Sequence, residues 1–356
     1  MEKDFVITGV GFLGNWGVGK KDFIRFLRGE GVPVSIEEVD FDAYIDVPSV
    51  RRADYISCCA LTAAKFALED AGMLPISKEK SNRIGAILGT VHGALYYTIE
   101  YHASLVLGDP KLASPLLFSD SVANAAVSHI STGLGIRGYS TTVPGYCGVT
   151  QALKLGIELI QQGVIDVCLV GGADVNHDFL TKAYRGCLCS PELIVNTFGG
   201  SGCLVIESLS HAIKRKAKIY AKIDGVSIIT ASYAVASCYN ISPLQDLLNE
   251  ANIELRDNDC FLNMSFDDED SLCRRDLFLP KFSRHHFISL DCSSSFGYGF
   301  AAAEAFQIIL GVLGVDSEEY LSSFKGINTN KPPNRIFITR TTLAGTNSCA
   351  LFSHCS

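Results

Sequence analysis

The sequence predicts an α/β protein assembled from two similar layered halves, and three observations carry that expectation. Continuous β-branched and apolar runs such as "RIGAILGT", "DVCLVGGA" and "GCLVIES" read as strands buried on both faces. Helical patterns separate these runs, most clearly where Val149, Ala152, Leu153, Gly156, Ile157 and Ile160 recur with one dry and one wet face. Finally, "GYCGVTQALKLGIELIQQGV" is echoed downstream by "GYGFAAAEAFQIILGVL": a small Gly-Tyr turn, a buried helix, then a strand.

Taken in order, the first half (1–210) opens with strand "DFVITGV", a helix near 20–29 and helix "DYISCCALTAAKFALEDAG". Strand "RIGAILGT", a helix over 147–162 and strands "DVCLVGGA" and "GCLVIES" follow. The second half (211–356) restarts at "AKIYAKIDGVSIIT" and continues through helix "SPLQDLLNEAN" and strands "CFLNMS" and "HFISLD". It closes with helix "GFAAAEAFQIILGVL" and strands "NRIFITRTT" and "SCALFS".

Composition narrows the function classes. The chain has 356 residues, 47% hydrophobic and 19% charged, enough for a large core and rich enough in apolar residues to suggest an extensive subunit interface. A net charge of −8 argues against nucleic acid or an anionic membrane as partner. The one basic run, "KRKAK" at 214–218, reads as a solvated connector. No run has the ~18 apolar residues of a membrane span. "MEKDFVITGV" starts directly as a strand, so a cytoplasmic protein is expected. The 13 cysteines contain no CxxC pair and mostly sit in apolar runs, which reads as reduced, structural thiols without metal.

Gly9-Val-Gly11-Phe-Leu-Gly14 is a literal GxGxxG after a strand. A dinucleotide site needs a helix opening at the third glycine and an acid on a second strand about 20 residues on. Here "GNWGVGKKDF" follows, read as a loop, and "SIEEVDFD" offers no directed acid, so no cofactor is expected. Cys147 raises a different question. A thiol at a helix N-terminus feels the positive end of the macrodipole, which favours the thiolate.

Several segments, in order along nearly the whole chain, resemble the β-ketoacyl synthases of the thiolase superfamily. "VITGVGFLGNWGVGKKDFIRFLRGEGV" resembles their opening strand and glycine-rich loop, and "RIGAILGT" their second strand. "SVANAAVSHISTGLGIRGYSTTV" resembles the approach to the nucleophile, and "LIQQGVIDVCLVGGADV" the helix exit and next strand. "FGGSGCLVIES" and "LAGTN" resemble the last strand of the first half and the final glycine-rich loop. The resemblance implies a thiolase-like fold of duplicated βαβαβαββ halves in a five-layer αβαβα arrangement, dimerising through the first half.

The family's reaction is a decarboxylative condensation, which uses a cysteine thiolate, two histidines and a lysine to hold the acyl chain and stabilise an oxyanion. Ungapped counting from "QQGVIDV" places the family's cysteine on Tyr146, with Cys147 one step on, turned by about 100°. The two histidine positions fall on Ser265 and Ser295, the lysine on Leu290 and the gating phenylalanine on Leu343. The resemblance therefore implies degenerate positions at Tyr146, Cys147, Ser265, Ser295, Leu290 and Leu343, and no catalytic residue. His92, His129, His285, His286 and His354 read as structural or surface residues. Ser293, Ser294 and Ser295 read as N-cap donors for the helix after them. Tyr146 reads as a ring filling the pocket with its hydroxyl bonded.

A ketosynthase fold so altered resembles the chain-length factors, or ketosynthase β subunits, of type II polyketide and aryl-polyene systems, although many of those carry glutamine where this chain has Tyr146. The resemblance implies a heterodimer with a catalytic ketosynthase, a shared acyl tunnel, and acyl carrier protein contacts made mainly by the partner. Leu105, Val106, Leu107, Leu116, Leu117 and Phe118 are the candidate tunnel wall. Two alternatives stand beside this: an acyltransferase or thioesterase using Cys147, and a homodimeric acyl-binding protein.

Overall fold

The computed structural model describes residues 4–30, 35–45, 53–187, 199–230, 243–250, 252–265, 288–297, 299–323, 333–342 and 345–355. Its strands are β1 (Phe5–Gly14), β2 (Gly17–Val18), β3 (Ile84–Thr90), β4 (Ser140–Pro144), β5 (Val167–Asp174), β6 (Gly200–Ser208), β7 (Ala221–Thr230), β8 (Cys260–Ser265), β9 (Ile288–Asp291), β10 (Arg335–Thr341) and β11 (Thr346–Ser353). Its α-helices are α1 (Gly19–Leu27), α2 (Tyr55–Asp70), α3 (Lys78–Ser81), α4 (Leu95–Leu107), α5 (Pro115–Asp120), α6 (Ala125–Leu134) and α7 (Gly148–Gln161). Then come α8 (Asp178–Cys187), α9 (Leu209–Lys214), α10 (Pro243–Glu250), α11 (Ser293–Phe296), α12 (Phe300–Asp316) and α13 (Glu318–Ser323).

The strands join in the order β4-β3-β5-β6-β1-β7-β11-β10-β8-β9, with β2 paired to β1. A short antiparallel match of Phe5–Ile7 with Ala221–Ile223 carries the sheet from one set of strands to the other. Helices α7 and α12 lie between the two sets: α12 touches β5 and β6 on one side and β10 and β11 on the other. Outside them, α2 packs on β1, β5 and β6, with α6 beside it on β3 and β4, and α10 packs on β7 and β11. This is the expected five-layer α/β arrangement. Phe300–Val315 of α12 are buried, as expected of a helix that is apolar all round and enclosed on every side.

The glycine motif serves this layering. A Cβ on Gly11 would sit 2.2 Å from the Ala63 carbonyl oxygen and one on Gly9 2.3 Å from that of Ala67, so α2 rests directly on the strand. β1 runs through all three glycines, and where a loop was expected after Gly14 the chain makes a tight hairpin, pairing Leu13 with Val18, before entering α1. The basic run also reads differently in three dimensions. Arg215 is not a solvated connector: its guanidinium pairs with the buried Glu207 carboxylate at 2.6 Å and donates to the Ala71 carbonyl at 2.6 Å. Sequence pattern missed this because both acceptors come from other elements.

The serine run corrects another expectation. Ser293–Phe296 form a one-turn helix of their own, while α12 has Gly299 as its N-cap with no side-chain bond. Gly297, at φ 51°, turns the chain between the two helices and so separates the serine run from the start of the second one. Cys58, Cys59, Cys147, Cys168, Cys203, Cys260, Cys292 and Cys349 are buried free thiols, and Cys355 is a partly exposed one.

Candidate functional site

Three parallel strands, β4, β3 and β5, end at one edge of the sheet, and their carboxyl-end loops converge there. Thr90 stands opposite Pro144, and Gly89 opposite Gly172. Close approach fixes the geometry behind them: a Cβ on Gly172 would fall 2.3 Å from the Ala301 carbonyl oxygen at the start of α12. β5 ends on Asp174, whose buried carboxylate accepts from the Val91 N–H (3.0 Å), the His92 N–H (3.0 Å), the Thr90 hydroxyl (3.0 Å) and the Ala301 N–H (3.0 Å). One carboxylate thus fastens the β3 turn to the first residues of α12. Burying a charge in this way is tolerated because every donor is already in place.

Tyr146, at the turn from β4 into α7, is half-buried, and its hydroxyl lies 3.2 Å from that of Tyr184 on α8. The Tyr184 hydroxyl also lies 3.2 Å from His92 Nε2. His92 Nδ1 stands 3.7 Å from Asp174 Oδ1, beyond a hydrogen bond. Phe300, held at φ 49°, sets its ring edge-on to His92 at 4.3 Å between centroids and against Tyr184 at 5.4 Å. Tyr146 and Tyr184 also pack against the central core cluster that contains Phe300. His92, read from sequence as structural or surface, is therefore part of this cluster.

Cys147 faces the other way. It is fully buried, and its Sγ lies 3.5 Å from the Thr346 carbonyl oxygen. Burial pushes its thiol up to about 12, with the nearby Glu304 carboxyl adding to the rise and Arg340 opposing it. Glu304, wholly buried in α12, accepts from the N–H groups of Val149 (3.1 Å) and Thr150 (2.9 Å) at the start of α7 and from the Thr150 hydroxyl (2.7 Å). Burial raises the Glu304 carboxyl, while Arg340 and these donors pull against it. Arg340 in turn donates to the Phe300 carbonyl at 2.9 Å. The helix terminus that the sequence offered to Cys147 is thus already occupied by a carboxylate, and desolvation outweighs the dipole.

The other sequence-derived positions are spread out. Ser295 is half-buried in α11, where its N–H donates to the Cys292 carbonyl at 3.1 Å, and Leu290 is a buried core residue of β9. Neither bonds to Tyr146 or Cys147. Ser265 closes β8 as a backbone position, and Leu343, His285 and His286 lie outside the described residues. His129 pairs with Asp120 at 3.1 Å, and His354 is exposed. Sequence reading missed Tyr184, Asp174, Phe300, Glu304 and Arg340. Asp174 and Glu304 each gave a signal, a carboxylate inside an otherwise apolar run. Nothing marked Tyr184. Among the described residues, no group of His, Cys, Asp and Glu is placed to hold a metal ion, and no helix is long and apolar enough to cross a membrane.

Comparison with known proteins agrees with this architecture. The family model described as beta-ketoacyl synthase, N-terminal domain, matches residues 6–184. The 3-oxoacyl-[acyl-carrier-protein] synthase 2 of Staphylococcus aureus (strain COL) is 27% identical over 298 residues, covering 72% of this chain and 71% of that protein. The enzyme of the same name from Vibrio cholerae is 26% identical over 268 residues, covering 65% and 64%. Among solved structures, the ishigamide ketosynthase/chain length factor superposes with a TM-score of 0.82 at 18% identity, covering all of both chains. A beta-ketoacyl synthase from Burkholderia phymatum STM815 superposes at 0.83 with 16% identity, again over all of both chains. At these identities the superpositions speak for the thiolase-like ketosynthase fold.

Proposed function

This chain belongs to the β-ketoacyl synthase family, and from that premise we propose that it is a non-condensing subunit, a chain-length factor that pairs with a catalytic ketosynthase and shapes its acyl tunnel. The observation that carries the reading is Tyr146, the residue that the family resemblance sets at the thiolate's position: its phenol lies within bonding distance of Tyr184 at the entry to α7. A phenol forms no acyl thioester. The neighbouring thiol is fully buried and raised to about 12, which speaks against the acyltransferase reading through Cys147. Serine at positions 265 and 295 and leucine at 290 supply neither the paired oxyanion donors nor the lysine.

A surface for the partner also supports the proposal. Val106, Leu107, Leu112, Leu116 and Phe118 on and between α4 and α5 are exposed, Leu107 by 86%. So much apolar surface on one face marks an interaction site. In the same half of the chain, β4 pairs only with β3 and leaves a strand edge open among the described residues. Acyl carrier protein would then dock mainly on the catalytic partner.

The test is reconstitution with a catalytic ketosynthase and acyl carrier protein substrates from the same source. The expected result is a one-to-one complex that elongates, while this chain alone shows no acyl adduct by intact mass. An adduct on Cys147 that goes on to elongate would overturn the proposal. A stable homodimer that ignores the ketosynthase would favour the homodimeric acyl-binding reading instead.

A further inference from the structure

We propose that a cavity at the opposite ends of β3 and β5 from the Tyr146 cluster is a binding site for a small organic carboxylate carrying an apolar arm. The cavity measures about 450 Å³ and is walled by the 72–77 segment after α2, by α3 and α9, and by the first residues of β3 and β5. That volume falls within the range of small-molecule pockets, about 300–1,000 Å³. A strand the length of β3 separates it from the Tyr146 cluster by about 20 Å.

Its lining is divided in the way an amphipathic monoanion requires. Met73, Leu74 and Ile76 are half-buried on one wall, with Val167 buried behind them. The charged side carries Lys80, Arg83, His211 and Arg215, with Asp166 among them. Arg83 is held by Asp166, Nη2 to Oδ1 at 2.6 Å and Nε to Oδ2 at 3.0 Å, so the one carboxylate in the lining is already engaged. Arg215 is held by Glu207 in the same two-pronged manner. These pairs neutralise each other and fix both guanidinium planes; Arg83 Nη1 is spent on the Gly163 and Val164 carbonyls (2.8 and 2.9 Å) and Arg215 Nη1 donates to Ala71, which leaves one Nη2 N–H on each guanidinium.

Lys80 is left over. Its ammonium forms no ion pair among the described residues, although it lines the cavity. His211 Nδ1 lies 2.5 Å from Glu207 Oε2, which orients the ring at the cavity wall. One uncompensated positive charge beside an apolar wall matches a carboxylate. A phosphate monoester, carrying about 1.5 to 2 negative charges at neutral pH, would exceed it.

The test uses the full chain with octanoate, octanol and octyl phosphate as probes, followed by calorimetry. Octanoate should bind saturably with one site, and octanol on the order of tenfold more weakly, because it lacks the charge-assisted bonds. Lys80→Glu, at an exposed position, should weaken octanoate by a similar factor without moving the melting temperature. Ile76→Trp should fill the apolar wall and abolish binding. The proposal is overturned if octanoate does not saturate, if octanol binds equally well, or if both variants bind octanoate like the parent chain. Tighter binding of octyl phosphate would overturn the monoanion assignment. No partner subunit enters these measurements, so their outcome is independent of the chain-length-factor reading.

Discussion

Tyr146 and Tyr184 meet hydroxyl to hydroxyl at 3.2 Å, joining the turn after β4 to a helix that starts after β5. The same Tyr184 hydroxyl reaches His92, which follows β3. Loops from three parallel strands are therefore tied by phenols and an imidazole at one edge of the sheet. If those bonds hold the loops together, Tyr146→Phe and Tyr184→Phe should each cost about 0.5–1.5 kcal/mol. The double variant should cost less than the sum, because the two hydroxyls share one bond. Urea unfolding of the four proteins measures this, and strict additivity would show that the hydroxyls do not interact.

Restoring sulfur to the turn should not restore condensation. Tyr146→Cys supplies a thiol at the entry to α7, but Ser265 and Ser295, the positions that the family resemblance assigns to the histidines, remain serine. Loss of one oxyanion donor typically costs about 100- to 1,000-fold in rate. Elongation assays with the single variant should therefore remain at background, and turnover like that of an ordinary ketosynthase would mean that the machinery lies elsewhere.

Cys147 should be inert in the native chain. With its thiol raised to about 12 by burial, the thiolate fraction at pH 8 is roughly one in ten thousand, and access is closed as well. Peptide mapping after brief iodoacetamide treatment should find Cys147 unmodified in the folded protein and alkylated in urea. Rapid native labelling there would contradict the burial.

Glu207 should give the chain a specific acid sensitivity. Burial works against its charge, yet bonds from His211, Arg215 and Thr8 and the Arg215 charge bring its carboxyl down to about 2. A carboxyl depressed in the folded state stabilises the fold above its unfolded value, about 4.3, and that contribution is lost as pH falls toward 2. Urea midpoints should therefore drop over this window in the parent chain and less steeply in Glu207→Gln. At pH 7 the variant should be destabilised by about 3–5 kcal/mol, because Arg215 is left without its partner.

The α4–α5 surface should set product length in the reconstituted complex. A methylene entering apolar space gains about 0.8 kcal/mol, whereas forcing one against a packed wall costs about 1 to 3 kcal/mol. Among large-to-small changes at Leu105, Val106, Leu107, Leu116, Leu117 and Phe118, at least one should lengthen the product while the complex survives. Product mass profiles check this, and unchanged lengths across the whole set would place the wall elsewhere.

By itself, the sequence determined the layers. Unbroken apolar runs such as "DVCLVGGA" give doubly covered strands, and α12 announces a helix enclosed on all sides, because burial is written locally in the spacing of apolar residues. Register along a single helix also drew attention to Tyr146 and Cys147. What only the tertiary structure decided is which side chains meet. Tyr184, His92 and Asp174 converge because three strands end at one edge, and Glu304 reaches the start of α7 from a helix about 150 residues away. Arg215 exchanged the role of a solvated charge for a buried pair in the same way, through a partner on another element. The chemistry of a buried polar group is set by neighbours distant in the chain, and local pattern carries no record of them.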